Sequence, residues 1–358
     1  MRSELQDLRL LGWQERDDAA ARSLWAEGLE VARVIAVDRD RFAVSDGRGD
    51  FRATLSGAFV HLAESADRYP CVGDWVGIDR RAPDGIGMIT TLVPRHSYLR
   101  RRSAGSAAGY QMIASNVDVA FIVQSCDYDF NVRRLERYRV MVREGGVHPA
   151  VVLTKTDLVT EVVLASQVAQ VRASGFDARI VALSNVSGSG VEELRSLLAP
   201  GTTACFIGSS GVGKSTIINT LVGRHALDTR AVSATGEGRH TTVRRALFRL
   251  DNGAMVIDNP GMREFGVLGA SEGLEGGFPD IESLASGCRY RDCTHTGEPG
   301  CAVRTAVEDG TIQVEHYDSF LKLTREAAFH SLSAVERRQK DRAFGRFLKS
   351  AKKDLADE

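Results

Sequence analysis

Two different periods divide the chain. From about residue 30 to residue 93, apolar and polar positions alternate in short pieces rich in β-branched side chains and separated by turn formers. Val31–Ala36, Arg41–Val44, Phe51–Leu55, Val72–Ile78 and Ile86–Thr90 predict five strands, with turns at Ser45, Asp46 and Gly47 and at Pro83, Asp84 and Gly85. Five strands in so short a span predict a small β-barrel over residues 30–102, an OB-fold or, on periodicity alone, an SH3-like barrel. Residues 1–29 form an N-terminal segment to which the pattern assigns no role. Ser103–Gly109, all small residues, predict a linker.

Beyond residue 110 the period changes. The apolar runs Val117–Val123, Ala150–Leu153, Ile180–Leu183, Ala204–Ile207, Leu247–Leu250 and Met255–Ile257 alternate with helical spacings such as Val132, Leu135, Tyr138 and Val142. Alternation of that kind predicts βαβ units around a mainly parallel sheet over residues 110–269. From 270 to 358 the pattern lapses into Gly, Cys and turn formers and then into helical sequence carrying Leu321, Leu323, Phe329, Leu332 and Phe347, which predicts a separate small domain.

Composition changes this picture little. Of the 358 residues, 43% are hydrophobic and 26% charged, close to globular averages, and no run approaches the roughly 20 apolar residues needed to span a bilayer. The polar stretch Met1–Asp7 has no apolar core of a signal peptide, so the expectation is a cytoplasmic protein without disulfides or a membrane partner. Charge adds more. The net charge is −1, yet Arg95, Arg100, Arg101 and Arg102 lie together without an acid, and eight Lys/Arg face only Asp341 between Arg337 and Lys353. Both runs are expected to face phosphate.

Gly208, Ser209, Ser210, Gly211, Val212, Gly213, Lys214 and Ser215 follow an apolar strand and precede an apolar helix beginning near Thr216. That context makes a phosphate loop: backbone N–H groups and the helix N-terminus surround phosphate oxygens, Lys214 adds a point charge, and the Ser215 hydroxyl suits Mg²⁺. Asp258 and Gly261 follow the buried strand ending at Ile257 as a second switch, and the polar stretch Gly236–Thr242 offers Thr241 or Thr242 to Mg²⁺ as a first switch. Where Ras-like enzymes carry a water-orienting glutamine the chain has Met262, which predicts slow intrinsic hydrolysis, with His240 the candidate to position water.

Upstream, Thr154, Lys155 and Asp157 end another apolar strand. A carboxylate held there accepts two hydrogen bonds from guanine N1 and N2, a pair that adenine cannot offer. Lys155 would lie along the base plane, and Ser184 and Asn185, after the next strand, stand where a backbone N–H meets guanine O6. The base-reading segment precedes the phosphate loop, the reverse of the usual order, which reads as a circularly permuted GTP-binding domain. Further on, Cys288, Cys293, His295 and Cys301 fall in a loop with no core to bury them, a density that suits tetrahedral, structural zinc. Cys71, Cys126 and Cys205 sit in or beside apolar strands as core residues.

With these pieces in place the chain closely resembles the ribosome small-subunit-dependent GTPase A family (RsgA) from about Ala32 onward. The likeness rests on Pro70, Val72 and Trp75; Leu92 to Ser97; Asn116 to Asp118; Arg134 and Glu136 to Tyr138; Gly238 to Thr242; Asp258 to Phe265; the permuted order and the Cys/His cluster. The resemblance implies an OB-fold, a permuted G domain and a zinc domain. It implies a GTP hydrolase of late small-subunit (30S) maturation, stimulated by that subunit, with 16S-type rRNA and GTP/GDP as partners. Family proposals for a switch histidine fall on His240, whereas Thr154 and Asn185 depart from the commoner residues. The chain is expected to be monomeric, to hold rRNA in the GTP state and to leave on hydrolysis. The alternative is a guanine-nucleotide switch for a non-ribosomal RNA-binding process.

Overall fold

A computed structural model describes residues 2–38, 41–63, 65–81, 85–102, 110–175, 178–223, 245–258 and 277–331. His240, Thr241, Thr242, Gly261, Met262, the small-residue stretch 103–109 and the basic run 337–353 lie outside the described residues.

Residues 30–92 form a closed barrel. Strands β1 (Glu30–Asp38), β2 (Arg41–Ser45), β3 (Asp50–Leu55), β4 (Trp75–Asp79) and β5 (Gly87–Leu92) pair in the order β1-β2-β3-β5-β4, and β4 returns to β1. The β3–β5 pairing is parallel and the others antiparallel. This crossing closes an OB-like barrel and decides against the SH3-like alternative. Ala32, Val34, Phe42, Val44, Ala53, Val76, Ile78 and Ile89 fill its interior with Phe59, the buried residue of a short helix at Gly57–Leu62 that Ser56 caps through Phe59 N. The N-terminal segment is helical at Arg2–Arg9 and Asp18–Ala26 and packs on the barrel: Trp13 meets Trp75 edge-on at 4.8 Å beside Leu8, Leu11, Leu24 and Val31.

Residues on either side of 103–109 pair with each other as β6 (Tyr98–Arg102) and β7 (Tyr110–Ser115), so the stretch read as a linker joins the strands of a hairpin. Three consecutive arginines hide β6 in the sequence, because they leave no apolar alternation to read.

The second sheet runs β10-β9-β8-β11-β13-β12, with β8 (Val119–Ser125), β9 (His148–Thr154), β10 (Ile180–Ala182), β11 (Thr203–Ile207) and β13 (Met255–Asp258) parallel and β12 (Arg245–Arg249) antiparallel at its end. Its strands read as continuous apolar runs because both faces are buried; Phe121 and Phe206 stack at 5.0 Å within it. Helices at Val132–Glu144 (α1), Glu161–Ala173 (α2), Val191–Ser196 (α3) and Lys214–Val222 (α4) connect the parallel strands. The chain moves outward from β8 through β9 to β10 and then returns to β11 on the other side. That reversal is a topological switch point, where the carboxyl ends of parallel strands open a crevice for ligands.

Barrel and sheet are continuous. β1 pairs with β12 at Ala36↔Ala246 and Val37↔Arg245, beyond a bulge between Val34 and Ala36 that bends it from one body into the other. Past residue 277, helices at Pro279–Ala285 (α5), Ala302–Glu308 (α6) and Val314–Ser331 (α7) enclose a core of Phe278, Ile281, Val303, Ala306, Ile312 and Leu323, which also takes Val140 of α1.

Candidate nucleotide site and metal centre

The switch point is occupied by the phosphate loop. β11 ends at Ile207, and the next residue, Gly208, has a φ of 147° and approaches β8 too closely for a side chain: a Cβ there would lie 2.2 Å from the Val123 carbonyl oxygen. Gly211 and Gly213 hold φ of 83° and 97°, and α4 starts at Lys214. Val212 anchors the loop in the core, while Ser210 and Gly211 stand exposed over it. Lys214 Nζ donates to the carbonyls of Gly208, at 2.8 Å, and Ser209. Burial pushes the Lys214 ammonium down to about 8, against the carboxylates of Asp258 and Asp129. Asp258, last residue of β13 and 6% exposed, therefore sits within electrostatic reach of the lysine. Ser215 and Thr216 open the first turn of α4, where N–H groups point outward to an anion.

The base-reading segment reaches the same crevice from β9. Thr154 ends β9, and its hydroxyl donates to the Val212 carbonyl at 2.6 Å, tying the two segments together although the chain delivers them in reversed order. Its replacement of the commoner residue thus keeps a side-chain tether. Lys155 follows in the left-handed region at φ 57°, with Nζ 3.3 Å from Asp127 Oδ2 and 5.0 Å from the Tyr128 ring centre. Ser184 donates to Asp157 Oδ1 at 2.5 Å and accepts from the N–H groups of Val186 and Ser187 at 3.2 Å. The Asp157 residue is exposed, and Ser184 holds one of its carboxylate oxygens. Asn185 Oδ1 is buried and has no hydrogen-bond partner among the described residues, and a Cβ on Gly213 would meet Asn185 Nδ2 at 2.8 Å. An orphaned acceptor beside a glycine cradle fits a bound nucleotide.

Sequence reasoning missed Asp127, Tyr128 and Asp129. Their signal was position: they follow β8, whose carboxyl end adjoins the switch point. It also misread Arg95. That side chain is 12% exposed and spends its fork on Asp74, at 2.7 and 2.8 Å, and on the Tyr69 carbonyl, so it faces no phosphate. Arg100 is likewise engaged by Glu144 at 2.6 Å.

The four residues of the Cys/His cluster converge. Their ligand atoms all lie within 4.8 Å of one another, with Cys288 Sγ 3.9 Å from Cys301 Sγ and His295 Nδ1 3.6 and 3.4 Å from those two sulfurs. Edges of ~3.5–3.8 Å are what a tetrahedron of thiolates and imidazole around one ion requires. Burial keeps His295 below its ordinary pKa and so neutral; against burial, the backbone N–H groups of Val303 and Ala302 pull the Cys288 thiol down. The set could hold a metal ion. Cys301 also caps α6 by accepting from Arg304 N, and Tyr317 of α7 donates to the His295 carbonyl at 2.5 Å, so the cluster fastens both helices.

Residues 92–268 match the family model of the RsgA GTPase. A protein of Opitutus terrae named small ribosomal subunit biogenesis GTPase RsgA is 40% identical, the match covering 90% of each chain. The chain belongs to the RsgA GTPase family. A Listeria monocytogenes protein named small ribosomal subunit biogenesis GTPase RsgA 1 is 42% identical over 87% of this chain and 88% of its own. Among solved structures, YjeQ from Thermotoga maritima superposes with a TM-score of 0.63 at 24% identity, covering 84% of this chain and 99% of that one. YloQ, described as a circularly permuted GTPase, gives 0.59 at 23% identity over 85% and 97%. The fold is thus that of permuted GTPases. Among the described residues no helix is long and apolar enough to cross a membrane.

Proposed function

We propose that the chain is a GTP hydrolase that matures the small (30S) ribosomal subunit, gripping its 16S-type rRNA in the GTP state and leaving once the subunit has stimulated hydrolysis. The observation that carries this reading is the hydrogen bond from Thr154 to Val212, which joins a base-reading strand end to a phosphate loop despite the permuted order. The names of the relatives in Opitutus and Listeria supply the particle.

In this reading Asp157 accepts from guanine N1 and N2, with Ser184 fixing its orientation, Lys155 lies along the base, and the backbone at Ser184 and Asn185 serves O6. Gly208 through Thr216 surround the phosphates and Lys214 balances their charge. Ser215, with Thr241 or Thr242, is assigned to magnesium, whose role when bound is to neutralise the β- and γ-phosphate oxygens. Asp258 and Gly261 sense the γ-phosphate. His240 orients the attacking water, since Met262 offers no polar atom. Cys288, Cys293, His295 and Cys301 hold one structural zinc, with no open coordination position and no catalytic part.

Mg²⁺-dependent GTP hydrolysis, measured with and without purified small subunits, tests the proposal. Slow turnover alone and strong stimulation by subunits are expected; unstimulated turnover would point to the non-ribosomal switch instead. Loss of turnover in Lys214→Ala, and loss of only the stimulated part in His240→Ala, are the accompanying expectations.

A further inference from the structure

We propose that the cleft where barrel, β6–β7 hairpin and β12 meet is a binding site for an RNA backbone phosphate, built on Arg101 and Arg245. This rests on the reading of the chain as an RNA-gripping GTPase and goes beyond it by naming where the grip is made and how it reaches the nucleotide.

The cleft encloses about 470 Å³ and is lined by both arginines together with Tyr69, Tyr110, Cys71 and Met112. Among the described residues its charge is uncompensated. Arg101 donates to Gln111 Oε1 at 3.0 Å and Arg245 to the Met112 carbonyl at 2.9 Å, and among the described residues neither forms an ion pair with a carboxylate. Arg95 and Arg100, by contrast, are committed to Asp74 and Glu144. Two guanidinium groups at one partly buried site repel each other and lose hydration; burial and the proximity of Arg101 both hold Arg245 below its ordinary pKa. An anion bridging the two forks relieves both costs.

Geometry favours a nucleic acid over other anions. Arg101 is held by Gln111 across the hairpin and Arg245 by two elements at once: its backbone pairs with Val37 of the barrel and its side chain donates to the Met112 carbonyl of β7. The non-bridging oxygens of a phosphodiester suit such forks, and the Tyr69 and Tyr110 rings beside them, the latter carrying the Arg100 guanidinium 3.8 Å from its centre, add aromatic surface on which an unstacked base can lie. An acidic protein surface would use the guanidiniums and leave the rings idle. Position then adds a consequence. Arg245 lies three residues beyond Thr242, and β12 pairs with β13, whose last residue is Asp258. RNA in the cleft and nucleotide at the phosphate loop therefore act on one strand pair, and each biases the other.

The test uses the full chain and a fluorescein-labelled oligouridylate of about twelve nucleotides, titrated over a range of salt. Arg101→Gln and Arg245→Gln each take away one phosphate partner and should lower the slope of log affinity against log salt by ~0.7 apiece, and the double variant should lower it by ~1.4. At fixed salt the double variant should bind at least tenfold more weakly, with GDP affinity and thermal midpoint unchanged. Arg101→Lys and Arg245→Lys, which keep the charge, should retain most of the slope. A folded double variant with the wild-type slope would overturn the assignment. Displacement of the probe by inorganic phosphate beyond that by chloride at matched ionic strength would reassign the cleft to a free anion, and polyglutamate competing as well as unlabelled oligouridylate would reassign it to an acidic protein. The assay is run with a non-hydrolysable GTP analogue and without subunits, so failure of subunits to stimulate hydrolysis would sink the ribosomal reading and leave this result standing.

Discussion

A single hydroxyl, that of Thr154, ties the base-reading strand to the phosphate loop, and its removal isolates that tie. Thr154→Val keeps the side-chain shape and leaves the Val212 carbonyl without its donor; removal of a hydrogen bond worth about 1 kcal/mol predicts roughly fivefold weaker GDP binding by fluorescence titration. Asp157→Asn tests the chemistry of selectivity rather than the scaffold. An amide there presents an N–H where guanine also has a donor, so GTP affinity should fall by more than tenfold while xanthosine triphosphate, with an acceptor at that position, gains. Equal losses for both nucleotides would remove Asp157 from base recognition. At this scale residue types were readable from sequence: glycines forced by close approach, a lysine before a helix, a carboxylate at a strand end. The partners Asp127 for Lys155 and Ser184 for Asp157 were not, because they come from loops whose approach only the sheet order brings about.

Between elements, the sharpest feature is the junction of α1 with α5 and α7. His316 of α7, 4% exposed, lies 2.5 Å from Glu136 Oε1 of α1 and 3.0 Å from Asp280 Oδ2 of α5. Burial alone would lower the imidazole, but hydrogen bonds and charge from Asp280 and Glu136 outweigh it and raise the pKa to about 9 from 6.5. The folded state thus binds the proton more tightly than the unfolded chain. The stability it gives is complete below pH 6.5 and is lost as pH rises through 9, a change on the order of 3 kcal/mol. Thermal midpoints measured from pH 6 to 9.5 should fall for the wild type and stay nearly level for His316→Gln; parallel curves would deny the junction its charge. The Cys/His cluster fastens α6 and α7. Cys301→Ser should therefore lose the bound metal, measured by atomic absorption, and expose residues 277–331 to proteolysis, while GDP binding survives because the phosphate loop belongs to a separate core. Sequence pattern found the clustered cysteines and histidine but missed α5 and α6, each of seven residues and too short to show a helical period.

Across the whole molecule, permutation places the switch-bearing strands between the two flanking bodies. β12 is hydrogen-bonded to the barrel through β1, and β13 ends at Asp258. A nucleotide that reorders that strand pair should move the barrel, so small-subunit affinity by pelleting should be at least tenfold higher with a non-hydrolysable GTP analogue than with GDP; equal affinities would break the coupling. By itself the sequence determined what local pattern and residue chemistry can specify: five barrel strands, the apolar strands of a parallel sheet, the glycine-rich loop between β11 and α4, the Asp157 carboxylate after β9, the Cys/His cluster and the permuted order. Each is written within a few residues, where side-chain period and type suffice. Tertiary structure alone decided how the barrel closes, that its first strand continues into the second sheet, that Arg95 is spent on Asp74 while Arg101 and Arg245 share a cleft, and that His316 meets Glu136. Those are pairings across 21 to 210 positions of chain, fixed by strand order and packing, to which no local periodicity is sensitive.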